Sequence, residues 1–476
     1  MKSLRIYMVV FFSLALMSCE KMVEGLNDNP NNPTNASAEL ILTGLQLGNI
    51  AFHEGHTARI AGIWSGYFAG VDRQYRDYHF YVASGFAFST SWQDVYYGVI
   101  QQEKLLEDRA KPVNNRLLIG IAKVVKAHAA GTAAACWGDV PFSQVADIEH
   151  YPQPAYDPQL KVYEGVQSLL DSAIADLSSG IGTSPGLADV HFGGKASSWI
   201  EVAHTLKARF FMDTRSYDKA YAEALLGIKS AASSLLAPHG SAAGTENFYS
   251  TGRSTTDITS DGSYITMLLD PLNTAYKGNS KTDERARLNY YFTYTTVNSV
   301  KTKFVPNTTQ TVSKKGIFAQ TAPYSLITYH ENLLILAEAG FRAKGFAEGL
   351  KNLNAYRAYM NTGGYINATY MTDGLKYSPY LESDFLGNGL LNKTGSAADE
   401  ALLKEILLER YVTFFGEKLG FDDIRRTRKE TAGVKVPTNI GNVLPERFVY
   451  SQDEINSNTS VPKPLPGIFE PTPVNK

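Results

Sequence analysis

With 45 Lys and Arg against 47 Asp and Glu, a formal net charge of -2 and a pI near 6.5, this 476-residue chain has no basic surplus to neutralise a phosphate backbone, and no nucleic-acid partner is expected. Its 44% hydrophobic and 19% charged residues are the composition of a globular protein able to bury a sizeable core. Two cysteines, Cys19 and Cys136, exclude a disulfide framework.

The first element in chain order is a leader. Lys2 and Arg5 precede an apolar run from Ile6 to Leu16, and Leu16-Met17-Ser18-Cys19 closes it. The run has the length of a signal-peptide core and falls well short of the ~20 residues a spanning helix needs. Residues 1–18 are read as a signal peptide, and Cys19, after the small Ser18, as the lipidated first residue of the mature chain. One acyl chain anchors only marginally, so stable attachment needs the multiple acylation that a lipobox cysteine receives. Residues 19–38 then form a polar tether, in which Asn27-Asp28-Asn29-Pro30-Asn31-Asn32-Pro33-Thr34 cannot sustain a helix.

Residues 39–476 are read as a single mostly α domain. Helical periodicity begins near Leu40, where Leu42, Leu45 and Ile50 share a loosely apolar face. Further helices are expected at about 92–109, 115–136, 159–178, 196–213, 217–235, 325–344, 347–361 and 398–416, with strand-like alternation sparse and confined to loops. Cys136, within Ala133-Ala134-Ala135-Cys136-Trp137, is read as a small buried apolar group. At about 237–324 and again at about 362–398 the helical period gives way to Gly, Ser, Thr, Asn and Tyr. Irregular segments of that length are expected to decorate a scaffold and carry function.

The clearest helical pair lies in the last third. Tyr329, Leu333, Leu336, Ala337, Gly340 and Phe341 line one face, and after Lys344-Gly345 a second helix starts with Ala347, Leu350, Leu353 and Tyr356. Ala337, Phe341, Gly345, Ala347 and Leu350, in that order, resemble a degenerate tetratricopeptide unit. Such a unit cannot bury its apolar face alone, so the pairs at about 115–178 and 196–235 are expected to stack with it.

Read together, Cys19, Gly70-Val71-Asp72-Arg73-Gln74-Tyr75, Trp92-x-x-x-Tyr96-Tyr97, Trp137-Gly138-Asp139-Val140-Pro141-Phe142, Leu333 to Ala339, Leu408-Glu409-Arg410-Tyr411, Asp423-Ile424-Arg425-Arg426 and Pro445 to Tyr450 resemble the SusD/RagB family, nearer its SusD-like lipoprotein branch, across almost the whole mature chain. The resemblance implies a tetratricopeptide-like helical-pair scaffold with long irregular loop excursions. It also implies a lipid-anchored protein of the outer membrane and cell surface that captures oligosaccharides, without catalysis, for a SusC-like TonB-dependent transporter. Some relatives are associated with peptides, so a peptide or other nutrient is the alternative cargo; a surface adhesin with no small ligand is a third reading. No cofactor is implied.

Sugar capture needs flat aromatic faces for the apolar side of a pyranose and amides, carboxylates or Arg for its hydroxyl edge. Asp72-Arg73-Gln74-Tyr75-Arg76-Asp77-Tyr78 offers both on an exposed loop expected after Gly70, so Arg73, Tyr75 and Tyr78 are ligand candidates; packing of both rings on the scaffold is the alternative. Trp92, opening a helix capped by Ser91, and Tyr96, one turn on, are the other candidates, with a core role as their alternative. Tyr249, Tyr264 and Tyr276 are secondary. Gly138-Asp139-Val140-Pro141 is read as a turn, and Arg425 and Arg426 as partners of Asp422 and Asp423 or of backbone carbonyls.

No catalytic or metal-binding set emerges. His53-Glu54-Gly55-His56 places its histidines three apart, not in the H-E-x-x-H spacing. Gly278-Asn279-Ser280-Lys281-Thr282 lacks the glycine before the lysine and the preceding strand of a phosphate loop, and there is no G-x-S-x-G elbow.

Overall fold

The computed structural model describes residues 36–251 and 256–476. The expected signal peptide, Cys19 and nearly all of the 19–38 tether lie outside the described residues.

Ser37 opens the first helix, Ala38–Glu54, by accepting the Leu40 N–H on its hydroxyl at 3.3 Å, so one of the orphan amides of the first turn is satisfied. This helix packs on the helical run 89–110 and on Arg116–Trp137. By length and composition Arg116–Trp137 is apolar enough to cross a membrane, yet 83% of its most apolar stretch is buried within the protein. A helix hydrophobic all round is covered on all sides, and here Gln159–Leu177 and Ala196–Asp213 help to cover it. Small residues permit the approach: a Cβ at Gly131 would strike the Phe210 ring of the Ala196–Asp213 helix. Cys136 is fully buried, and burial pushes its thiol up to about 12, so it is an inert filler as expected.

The second half repeats the device. Thr328 and Glu331 form a capping box that starts Tyr329–Lys344, with the Glu331 N–H donating to the Thr328 hydroxyl at 3.2 Å. This helix packs against Phe346–Asn361, Tyr217–Ala224 and Ala398–Thr413, so the expected tetratricopeptide-like pair forms and stacks.

Several boundaries differ from expectation, and three of them have a visible cause. The helix expected over 217–235 ends at Ala224, because the buried Asn332 amide donates to the carbonyls of Ala224 and Ile228 at 3.0 Å each and so caps the chain there. The following residues become a short 3₁₀ turn and the strand Leu235–Ala237. The helix expected from 325 starts at Tyr329, since Tyr324–Ile327 is the partner strand of Leu235–Ala237. Ser91 does not cap the 92–109 helix, which begins at Ser89; its hydroxyl instead accepts that of Thr57 at 2.9 Å.

The described residues carry five two-stranded antiparallel ladders. The Leu235–Ala237 ladder closes the first excursion at its base, pairing Ala237 with Tyr324, so an 88-residue detour costs the scaffold only a local joint. The excursion is not wholly irregular: it contains the helices Tyr264–Leu269 and Arg285–Tyr291 and the hairpin Phe292–Val297 with Val300–Pro306. A second ladder, Thr282–Asp283 with Lys376–Tyr377, joins it to the 362–398 excursion.

Buried charge locks these pieces together. Lys277 of the excursion reaches Glu284 at 2.8 Å and Glu409 of Ala398–Thr413 at 2.7 Å, and Arg287 meets Glu409 at 2.7 Å. Arg426 forks onto Glu338 at 2.6 and 2.8 Å and touches Asp423 at 2.8 Å, while Arg425 pairs with Asp422 and donates to the Ala135 and Glu446 carbonyls. Arg425 thus fills both expected roles at once, ion pairing and carbonyl capping, and Arg426 the first alone.

Candidate functional site

An open groove is built on the helical run 89–110, where the α-helix Ser89–Gln93 passes into a π-helical turn, Asp94–Ile100, before Gln101–Ala110 resumes. A π turn inserts an extra residue and re-aims the side chains around it. Val95, Val99 and Ile100 go to the core, Tyr96 is half-buried, and Tyr97 is left 67% exposed. Across from them run Pro141 to Pro154, with Ile148 exposed and Tyr151 43% exposed. The enclosed volume is about 420 Å³.

Trp92 is the floor. It is only 5% exposed, held edge-on by Trp137 at 5.2 Å and faced by Tyr96 at 4.7 Å between ring centroids. The Tyr96 hydroxyl donates to the Pro141 carbonyl at 3.0 Å, which fixes its ring. Tyr156 stands behind Trp92, and its hydroxyl donates to Glu454 at 3.2 Å. The polar groups of the rim are amides, Gln93, Gln101 and Gln144, and carboxylates, Asp147, Asp453 and Glu454, with Gln93 donating to Asp453 at 3.2 Å. Lys104 and Asp108 pair at 2.6 Å, so the rim keeps an acidic surplus. Burial lifts Asp94, on the same turn, to about 6. The chemistry on offer is ring faces at an apolar floor, with amides and carboxylates on the rim.

The other sequence candidates sit elsewhere. The loop expected after Gly70 is instead the helix Arg73–His79, which Asp72 caps. Arg73 lies at the surface, where its guanidinium forks onto the buried Asp257, with Nε to Oδ2 at 2.8 Å, and ties residues 256–259 to the Ala69–Gly70 strand. Tyr75 is 1% exposed and its hydroxyl accepts Arg59 at 2.9 Å; Tyr78 is nearly as buried, edge-on to Tyr75 at 5.8 Å. Both rings pack on the scaffold with His56, and only their edges reach a hollow of about 320 Å³ that also involves Arg59, Thr90 and the exposed Phe86. Thr90 lines this hollow and Trp92 the groove. The structure therefore brings Trp92 and Tyr96 together and leaves Arg73, Tyr75 and Tyr78 apart from them. Tyr249 is buried, while Tyr264 and Tyr276 are half-buried.

Sequence reasoning did not single out Tyr97, Tyr151 or Phe86 as contact residues. Tyr97 had a signal, since it ends the Trp92-x-x-x-Tyr96-Tyr97 pattern, but only an α-helical period was applied to it. Nothing in Asp147-Ile148-Glu149-His150-Tyr151-Pro152 marks Tyr151. The histidines read as a weak motif are spent on structure: His53 donates from Nδ1 to the Asn49 carbonyl at 2.8 Å and stacks on His128 at 3.6 Å, and Glu54 accepts His239 at 2.8 Å.

A family model described as SusD-like, starch-binding and associating with the outer membrane, matches residues 30–451. Among solved structures, a SusD/RagB family protein from Bacteroides thetaiotaomicron superposes with a TM-score of 0.67 at 20% identity, covering 93% of this chain and 99% of its own. A chitin-binding SusD homologue from Flavobacterium johnsoniae gives 0.63 at 17% identity, over 92% and 98%. A SusD homologue from Bacteroides uniformis gives 0.65 at 15%, over 92% and 99%. At these identities the likeness establishes the fold. No curated protein matches the sequence significantly.

Proposed function

The chain belongs to the SusD-like family of nutrient-binding proteins associated with the outer membrane, and from that premise we propose that it captures neutral oligosaccharides in the Trp92–Tyr97 groove and releases them chemically unchanged. The observation that carries this reading is the pairing of the exposed Tyr97 and Tyr151 with a floor of Trp92 and Tyr96 and a rim of glutamines. Ring faces cover the apolar side of a pyranose while the amides and hydroxyls satisfy its edge. The rim carboxylates Asp147, Asp453 and Glu454 already meet His150, Gln93 and Tyr156, and their remaining lone pairs can accept from sugar hydroxyls without a charged group on the ligand.

Capture of this kind is shallow and fast. A dissociation constant near 1 mM corresponds to only about -4.1 kcal/mol, so loss of one ring is enough to abolish detectable binding. Tyr75 and Tyr78 enter the reading as the frame of the hollow beside Phe86 rather than as stacking faces, and Arg73 as the partner of Asp257. The Lys2-to-Cys19 segment supports a lipid anchor at the cell surface, and the family supports delivery to a SusC-like TonB-dependent transporter.

The test is calorimetric titration of the protein with a glycan panel and a peptide panel, repeated on Tyr97→Ala and Tyr151→Ala. A glycan that binds the wild type and is lost in either folded variant supports the reading. Binding of peptides in place of glycans, or a glycan affinity indifferent to both substitutions, overturns it. Cys19→Ala should move the protein from the membrane to the soluble fraction, and co-purification with a transporter of the wild type alone would support the delivery step.

A further inference from the structure

A second cavity, of about 200 Å³, shares no residue with the groove. Rings of Tyr290, Phe318, Tyr324, Tyr359, Tyr365 and Phe415 line it, and among its lining residues Glu417 is the one carboxyl. Gly416 aims that side chain. Its φ of 82° is left-handed, a Cβ there would strike the Phe318 ring, and its carbonyl accepts the hydroxyls of Tyr249 at 2.9 Å and Tyr324 at 3.1 Å. The Glu417 N–H closes the turn onto the Phe414 carbonyl at 3.0 Å.

Among the described residues Glu417 has no ion-pair partner. Its nearest guanidinium, Arg209, is already spent: it forks onto Glu331 at 2.6 and 2.7 Å, donates to the Leu326 carbonyl at 2.7 Å and meets His128 at 2.9 Å. His330, in the cavity wall against Tyr365 at 4.7 Å, supplies no charge, since burial, with Arg287 nearby, brings its imidazole down to about 3. The Tyr365 hydroxyl is held by that of Tyr291 at 2.7 Å. Burial, reinforced by the negative Glu331, lifts the Glu417 carboxyl well above its ordinary range, and only Arg209 and a hydrogen bond from Ser325 oppose it.

An aromatic-walled cavity with one uncompensated carboxyl is matched by a cation, because ring faces attract positive charge most when it is desolvated and the carboxylate then has its counter-ion. We propose that this cavity binds a small organic cation, with its ammonium or quaternary ammonium group held against Glu417 among the tyrosine and phenylalanine rings. On binding, the Glu417 carboxyl releases its proton to solvent and the ligand's fixed charge replaces it. Affinity then rises with pH by up to about tenfold per unit until the carboxyl is ionised without ligand. Glu331, Arg209, His330, Tyr290, Tyr324, Tyr359 and Tyr365 are the titratable or charged groups that face it; the histidine stays neutral and burial pushes all four tyrosines upward, so none of these competes over the neutral range.

The experiment is calorimetric titration of the whole protein with choline and with its neutral carbon isostere, dimethylbutanol, at about pH 6 and about pH 8. Choline is expected to bind at least roughly tenfold more tightly than the isostere, and more tightly at the higher pH. Glu417→Gln should remove both the choline preference and the pH dependence while leaving the melting temperature unchanged or raised. Tyr359→Leu, at a half-buried wall position, should weaken choline by roughly threefold and decides the matter if the first variant does not fold. Equal binding of the isostere, no binding at roughly 10 mM choline, or choline binding unaltered in Tyr359→Leu and Glu417→Gln would each overturn the assignment. Tyr97→Ala should leave choline binding intact, so this result stands or falls independently of glycan capture.

Discussion

Two aromatic clusters from neighbouring stretches of chain, Tyr75 with Tyr78 and Trp92 with Tyr96 and Tyr97, meet opposite fates. The first pair lies on a short helix whose rings turn inward onto His56 and Arg59, and its one exposed companion is Phe86. The second set lies on a helix that widens into a π turn, so a buried tryptophan, a half-buried tyrosine and an exposed tyrosine rise in steps from floor to rim. Tyrosine content alone does not make a binding surface. What makes one is a backbone irregularity that keeps ring faces out of the core while neighbouring side chains hold them rigid.

Substitutions separate the two clusters by what they cost. Trp92→Ala is expected to have the largest effect, about 3–5 kcal/mol of stability, because it empties a site packed by Trp137, Tyr96 and Tyr156; urea unfolding measures it. A loss below about 1 kcal/mol would show that Trp92 is a surface platform and not a floor. Tyr75→Phe comes next, at about 1–3 kcal/mol, since the half-buried Arg59 loses its hydroxyl partner while its Nε already lacks one. If that variant is as stable as the wild type, the pair is not the scaffold element described here. Tyr97→Ala should change stability by no more than about 0.5 kcal/mol yet weaken glycan binding by tenfold or more. The same loss of affinity in Tyr75→Phe would erase the distinction between the clusters.

Acid sharpens the contrast between interior and surface. His53 and His330 are buried and His56 half-buried as neutral rings, with desolvation bringing them down to about 3, about 3 and about 4, and burial holds His128 well below the usual imidazole range. In the unfolded chain each titrates near 6.5. The folded state therefore binds fewer protons: their contribution is fully present above about pH 6.5 and is lost as pH falls toward 4, at about 1.4 kcal/mol per unit for each ring. Denaturant unfolding between about pH 7 and pH 5 should show that fall, and a flat profile would mean that these rings protonate freely in the fold.

Most helices were legible because their apolar period is long and strong. Ala196–Asp213 matches its expected span, and Arg116–Trp137, Gln159–Leu177 and Phe346–Asn361 lie within a residue of theirs. The misreadings have tertiary causes. The end of Tyr217–Ala224 is set by Asn332, more than a hundred residues away in the chain, and no local signal carries that. Trp92 and Tyr96, which line the groove, were legible as candidates from residue type and one-turn spacing, whereas Tyr97 and Tyr151 were not, because their exposure depends on a π turn and on a loop brought across from another part of the chain.

By itself the sequence determined the helical-pair scaffold, the inert Cys136 and the family resemblance, all of which follow from local periodicity, composition and motif order. Only the tertiary structure decided which aromatic rings face solvent, that Arg73 pairs with the buried Asp257, and that Glu417 lies among six rings with no ion-pair partner among the described residues. Exposure and charge pairing depend on residues distant in the chain, and a periodic pattern says which face of a helix is apolar without saying what will come to cover it.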